Sequence, residues 1–158
     1  MMIEIRRAAM QDAQILSALN LHVQKIHADA YPQLFKQPAS PTFAVPFMQR
    51  QLIDPSNLFY IASLEGVDIG YLFARTVERP ENLLMFAWKF IYIEHISISP
   101  QYQRKGYGQR LLEEIVYFAK EEGVKTIVSD IWIFNRQSQN FFKKQGFEIY
   151  NYKLWKTV

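Results

Sequence analysis

The stretch that most constrains how this chain folds is a change of hydrophobic period in its second half. Residues 90–99 read Phe90-Ile91-Tyr92-Ile93-Glu94-His95-Ile96-Ser97-Ile98-Ser99, an apolar run rich in β-branched side chains that predicts a strand. A short basic loop follows, ending in Gln103-Arg104-Lys105-Gly106-Tyr107-Gly108. Beyond it, Leu111, Leu112, Ile115, Phe118 and Ala119 recur at helical spacing, and Gly123 is placed to end that helix. A strand that runs through a glycine loop into a helix aims several backbone N–H groups one way, and the helix N-terminus adds partial positive charge. Glycines at 106 and 108 allow close approach of a ligand, and Arg104 and Lys105 surround it with charge. The combination predicts a pyrophosphate site. It is neither a P-loop, which ends in Gly-Lys-Ser or Gly-Lys-Thr, nor a Gly-x-Gly-x-x-Gly dinucleotide loop.

The strand itself changes phase. Ile91 and Ile93 place apolar side chains on odd positions, Ile96 and Ile98 on even ones. Strict alternation cannot satisfy both, so a β-bulge is expected near Glu94-His95.

The rest of the chain fits a mixed α/β domain spanning residues 1–158, with a parallel pairing late in the order. Ile3-Glu4-Ile5-Arg6 predicts a first strand, and Asp12 is placed to cap a helix carrying Ile15, Leu16, Leu19 and Val23. Prolines at 32, 38, 41 and 46 predict an irregular, substrate-facing segment over 28–46, followed by a short helix over 47–53. Strands over 58–64 and 67–77 flank Glu65-Gly66 as a hairpin. A strand over 127–134, a helix over 135–145 ending at Gly146, and a last strand or tight hairpin over 147–155 complete the order.

Composition removes several function classes. With no cysteine there is no disulfide, thiolate metal cluster or cysteine nucleophile. A net charge of +3 from scattered side chains is too small for a nucleic-acid face. No apolar run approaches the roughly 20 residues of a membrane helix, and the charged start Met1-Met2-Ile3-Glu4-Ile5-Arg6-Arg7 does not read as a signal peptide, so a cytoplasmic protein without a membrane partner is expected. His22 and His27 are five apart rather than the four of a helical zinc pair. Neither His-Glu-x-x-His nor Gly-x-Ser-x-Gly occurs, so neither a metal site nor a serine hydrolase is expected.

The loop Gln103-Arg104-Lys105-Gly106-Tyr107-Gly108 resembles the phosphate-binding motif Gln/Arg-x-x-Gly-x-Gly/Ala of the GNAT superfamily of N-acetyltransferases. A second motif, Asn-x-x-Ala-x-x-Phe-Tyr-x-x-x-Gly-Phe, is similar to Asn135-Arg136-Gln137-Ser138-Gln139-Asn140-Phe141-Phe142-Lys143-Lys144-Gln145-Gly146-Phe147. The N-terminal Ile-x-Ile-Arg-x-Ala and the Gly70 strand after a Glu-Gly turn also resemble the family. The likeness covers nearly the whole chain and is weakest from 28 to 56.

The resemblance implies a twisted mixed sheet flanked by about four helices, with the fourth and fifth strands splayed to admit the pantetheine arm. It implies acetyl-CoA as co-substrate, bound by Ile96, Ser97, Ile98, the 103–108 loop, Gln109, Asn135 and Phe142, and direct transfer of acetyl to an amine. Asn135 also reads as a helix N-cap. Glu94 is the expected general base, directly or through water, unless it merely pairs with Lys89 or Arg75; His95 is the second choice. A backbone N–H from 96–98 would face the oxyanion. Where the family often has a proton-donating tyrosine this chain has Phe142, which leaves Tyr107 or Tyr150 as substitutes. His27, Tyr31 and Phe35 fall in the segment that covers the family's acceptor site, and they either line that pocket or pack the loop. A homodimer through sheet edges is compatible with this reading. A non-catalytic acyl-CoA-binding module and a transferase for another acyl group stay open beside it.

Overall fold

The computed structural model describes residues 2–158. Five strands form one sheet in the order β1-β2-β3-β4-β5: β1 Ile3–Arg7, β2 Asn57–Leu64, β3 Val67–Arg79, β4 Trp88–Ile98 and β5 Ile127–Ser129. The first four are mutually antiparallel and β5 joins β4 in parallel. Four helices complete the fold: α1 Ala13–Ala30, α2 Val45–Ile53, α3 Tyr107–Glu121 and α4 Arg136–Lys144.

Each face of the sheet buries its own core. On one, Leu58, Leu72, Ala74, Ile91 and Ile93 meet Leu111, Leu112, Ile115 and Ala119 of α3 and Phe142 of α4. On the other, Phe59, Ile61, Tyr71 and Phe73 meet Leu16 of α1 and Met48 of α2. This two-sided burial explains why β2 is buried at every position, whereas a sheet with one wet face would alternate. The β2–β3 hairpin turns on two residues at positive φ, Glu65 at 49° and Gly66 at 81°, the geometry that matches the twist of paired strands.

Several expectations need correction. The Asp12 side chain does not cap α1. It closes a 3-10 turn over Met10–Asp12 by accepting from the Ala9 N–H at 2.8 Å, and it pairs with Arg6 through bonds of 2.8 and 2.9 Å. The Arg6 guanidinium holds the buried Asp12 carboxyl below the usual aspartate range. Helix α1 runs to Ala30, so the irregular segment narrows to residues 31–44.

The strand expected over 127–134 ends at Ser129. Beyond it Trp132 and Phe134 leave the sheet direction and pack on α1 and the residues just after it. The tail after Phe147 forms no strand. Side chains anchor it instead: Tyr150 against Trp88, Lys153 on Asp130, and Trp155 on Tyr31 and Trp132.

Gly70 marks the tightest approach in the sheet. A Cβ there would lie 2.4 Å from the Ser97 carbonyl oxygen and 2.5 Å from Ile98 Cδ1. Backbone cannot yield as a flexible side chain does, so Gly70→Ala is expected to cost about 3 kcal/mol, the upper end of ordinary overpacking. A urea midpoint unchanged from the parent would contradict this packing.

Candidate functional site

Between Phe73 and Ala74 of β3 the register against β4 shifts by one: Phe73 faces His95, Ala74 faces Ile93, and Glu94 is the extra residue. The bulge therefore lies where the change of phase predicts it. Its consequence is that two successive side chains emerge on one face. Glu94 reaches Arg75 at 2.8 Å and His95 reaches the Tyr71 hydroxyl at 2.9 Å, both partners lying on the α1/α2 side of β3. Ile96 and Ile98 are thereby returned to the α3 side, where they pack on the core.

The strand also parts from its neighbour here. β5 pairs with β4 only from Ile91 to Ile93, and the Ser129 hydroxyl donates to the Ile93 carbonyl at 3.1 Å to close the last pairing. From Glu94 onward β4 has no strand on that edge, so backbone groups of 94–98 face an open fork.

At the end of β4 the loop delivers the helix. Gln103 Nε2 donates to the Ile98 carbonyl at 2.8 Å, and Gln137 Nε2 of α4 donates to Gln103 Oε1 at 2.9 Å, so the loop is held from both sides. Arg104 and Gly106 adopt positive φ of 60° and 84°. Gly106 is the N-cap of α3 and supplies no capping side chain, which leaves the first-turn N–H groups of Tyr107, Gly108 and Gln109 for a ligand.

Left-handed and helical residues in succession make a concave cluster of N–H groups suited to an anion. A Cβ at Gly106 would meet open space, whereas one at Gly108 would press on Phe141 of α4 at 3.3 Å. The two glycines thus do different work. Gly106 turns the chain, and Gly108 lets α3 lie close to α4. Lys105 and Arg104 are exposed beside the loop, and the ammonium of Lys105 stands 5.9 Å from the Tyr102 ring.

Two carboxylates flank the fork. Glu94 is partly buried, its side chain 26% exposed, and desolvation raises its pKa above the ordinary value; Arg75 opposes the rise and Asp130 adds to it. Asp130 lies one residue past β5 and pairs with Lys153. Tyr92 sits between them, its ionisation suppressed by burial and by the charge of Asp130, with the Arg75 guanidinium 5.6 Å from its ring.

His95 occupies a different environment from Glu94. Burial, with a smaller push from His27, lowers its pKa to about 4. Asn20 Nδ2 donates to the Tyr71 oxygen, and the one Tyr71 proton then points at His95 Nδ1, the arrangement that uses every polar hydrogen. His95 is thus buried with Nδ1 occupied, whereas Glu94 keeps part of its side chain in solvent.

Other expected residues fall in varied places. Asn135 caps α4 by accepting from the Ser138 N–H at 3.1 Å. Phe142 is buried, 4% exposed, between Phe141 and Phe147. Tyr107 opens α3, packed against the core, and Ser97 is buried within β4. Tyr150 lies against Trp88, at the opposite end of β4 from the loop.

His27, Tyr31 and Phe35 come together with residues the sequence did not single out. His27 lies 5.1 Å from Phe35 and 5.4 Å from Phe134; Tyr31 lies 5.4 Å from Trp132 and 5.3 Å from both Phe134 and Trp155. Asp130, Trp132 and Phe134 share alternate positions in Ile131-Trp132-Ile133-Phe134 and its approach, a signal hidden by reading that run as a plain strand. Among the described residues, no three His, Asp or Glu side chains gather as metal ligands, and no helix is long and apolar enough to cross a membrane.

The family model for the acetyltransferase (GNAT) family matches residues 21–147, which includes the bulge, the loop and both glycines. The chain belongs to the GNAT acetyltransferase family, a family of acyltransferase enzymes. A curated relative, N-acetyltransferase family 8 member 3 of Mus musculus, is 25% identical over 93 residues, which span 59% of this chain but only 39% of that protein.

Among solved structures, a tetramutant of the BH1408 protein from Bacillus halodurans superposes with a TM-score of 0.92 at 20% identity, covering 98% of this chain and 99% of the other. A predicted acetyltransferase from Clostridium acetobutylicum, solved with acetyl-CoA, gives 0.71 at 18% identity over 99% and 96% of the two chains. An aminoglycoside acetyltransferase from an uncultured soil metagenomic sample gives 0.71 at 19% identity over 99% and 96%. At these identities the structural likeness establishes the fold, which the GNAT domain of this chain shares.

The buried hydrogen-bond chain has a direct check. A histidine in water changes charge between about pH 5 and 8, but the His95 ring signals in an NMR titration are expected to stay at their neutral positions there. In Tyr71→Phe, which removes the donor to Nδ1, they are expected to move. Titration of parent His95 near the solution value would refute its burial.

Proposed function

We propose that this GNAT domain transfers the acetyl group of acetyl-CoA directly to a primary amine, with Glu94 as the base. The observation that carries this reading is the bulge, which sets a carboxylate of raised pKa at the mouth of a strand fork leading to an anion-binding helix terminus. The pyrophosphate of the co-substrate would take the N–H groups of Tyr107, Gly108 and Gln109, with Arg104 and Lys105 beside it. The pantetheine arm would run along the free edge of residues 94–98 and present the thioester at the fork. The acetyl-CoA bound to the Clostridium acetobutylicum protein of the same fold supports that choice of co-substrate.

The reaction is then a single displacement. Glu94 accepts a proton from the ammonium, directly or through water, and the amine nitrogen adds to the thioester carbonyl carbon. A main-chain N–H on the open edge stabilises the oxyanion. The attacking nitrogen gives up its second proton to solvent or to the departing sulfur, the carbon–sulfur bond breaks, and the products are the neutral amide and CoA as thiolate or thiol. Phe142 has no proton to offer and Tyr150 is held at the far end of β4. Of the tyrosines considered, only Tyr107 adjoins the loop, and the low basicity of a thiolate lessens the need for any acid.

Two outcomes follow. Gly106→Val places a β-branched residue at φ 84°, where the backbone resists it, and fills the space above the loop. The strain is of order 1–3 kcal/mol, so the protein is expected to stay folded by circular dichroism while losing acetyl-CoA binding in calorimetry. Undiminished affinity would remove the loop from the binding site.

Glu94→Gln is expected to lower kcat by about 10²-fold or more, the lower range of general-base contributions, with little change in acetyl-CoA affinity. Because the Glu94 pKa is raised, the parent rate should climb with pH through a value above the ordinary glutamate range, as the carboxylate forms. That limb should vanish in the variant. A variant with parental kcat and the same pH profile would assign Glu94 to Arg75 alone.

A further inference from the structure

We infer that the acceptor is an amine with one positive charge and an apolar, aromatic-sized body, held against the wall formed by His27, Tyr31, Phe35, Trp132, Phe134 and Trp155. The inference rests on the acetyltransferase reading for its location at the fork, and on three observations for its chemistry.

The wall is continuous with the reacting end of the site. Trp132 lies three residues past Ser129, whose hydroxyl bonds the carbonyl of Ile93, the chain neighbour of Glu94, at 3.1 Å. At the other side, His27 stands two turns along α1 from Asn20, whose amide reaches His95, the bulge neighbour of Glu94, through the Tyr71 hydroxyl. An amine whose nitrogen reaches Glu94 therefore lays its body along these rings.

The rings meet largely edge to face at 5.1–5.4 Å, which leaves faces and edges turned outward, and Trp132 and Trp155 stay 37% and 63% exposed. Exposed indole surface of this extent gains most from covering an apolar partner. A single ammonium is also drawn to ring faces.

The charges nearby cancel. Glu94 is paired with Arg75 and Asp130 with Lys153, so two acids face two bases. A polycationic aminoglycoside needs surplus negative charge and many hydrogen-bonding side chains for its hydroxyls; this wall offers neither.

The test separates binding from turnover. Quenching of intrinsic tryptophan fluorescence, at saturating acetyl-CoA and without it, reads the binding of 2-phenylethylamine, spermidine and tobramycin to the full chain. The expected result is at least about tenfold tighter binding of 2-phenylethylamine than of either polycation, within the range that apolar pockets discriminate. Trp132→Ala and Tyr31→Ala should remove that preference while acetyl-CoA affinity by calorimetry is kept. Equal or tighter binding of tobramycin, or an undiminished preference in both variants, overturns the inference.

Thiol release with the same amines judges the other reading independently. Preferential binding of 2-phenylethylamine without thiol release would uphold the wall and refute acetyl transfer. Thiol release that favours tobramycin would uphold transfer and refute the wall.

Discussion

One inserted residue organises the molecule. With Glu94 accommodated opposite no partner, β4 presents Glu94 and His95 to the α1/α2 side and returns Ile96 and Ile98 to the α3 side. Were Glu94 paired in strict alternation instead, His95 would enter the α3 core and Ile96 and Ile98 would leave it together. The bulge also bends the strand away from β5 after three paired residues, and the fork is the space so created. A carboxylate and an imidazole brought inward this way are costly unless partnered. Arg75 serves the first and the Asn20–Tyr71 chain the second. The partners have unequal effects: the imidazole is buried and held neutral, while the carboxylate, less buried, keeps a raised pKa and access to solvent.

The same strand carries the second half of the site. Five residues beyond Ile98, Gln103 ties the loop back to the strand's last carbonyl, so bulge and anion cradle are held in one frame. The spacing between carboxylate and helix terminus is then set by backbone that is hydrogen-bonded at both ends. α3 is anchored in turn by Leu111, Leu112 and Ile115 in the core and by the close approach of Gly108 to Phe141. Little of this geometry depends on side-chain freedom, which suits a cradle made of main-chain donors.

Much of this is legible in the sequence alone. The bulge followed from the phase of four isoleucines, and the cradle from a change of period across a glycine loop. Those signals are strong because they are local. What the sequence concealed was non-local. Asp12 looked like a cap, since acids before helices usually are, but Arg6 across the β1–α1 turn claims it. The run after Ser129 has the composition of a strand, and only the position of α1 decides that Trp132 and Phe134 gain more by leaving the sheet. Phe142 read as a contact of the thioester arm, and its 4% exposure places it in the core between its phenylalanine neighbours. Nothing local announces that Lys153 pairs with Asp130, because the two are 23 positions apart across irregular and helical chain.

The departure of the chain from the sheet after Ser129 has a chemical consequence for the proposed reaction. It brings aromatic surface, rather than another strand, up to the fork, and it leaves the surroundings of Glu94 with balanced charge. An ammonium entering such a place loses water without gaining a surplus of negative charge. Desolvation of that kind disfavours the charged form and lowers the amine's pKa. The same loss of water raises the pKa of Glu94. The two values move toward each other, which reduces the uphill cost of the proton transfer that frees the nucleophile. An acid-rich pocket would bind the ammonium more firmly and hold its proton more firmly too. On the proposed reading the aromatic lining would do more than select the acceptor's shape: by withholding counter-charge, it would ease proton transfer to a carboxylate whose pKa is already raised.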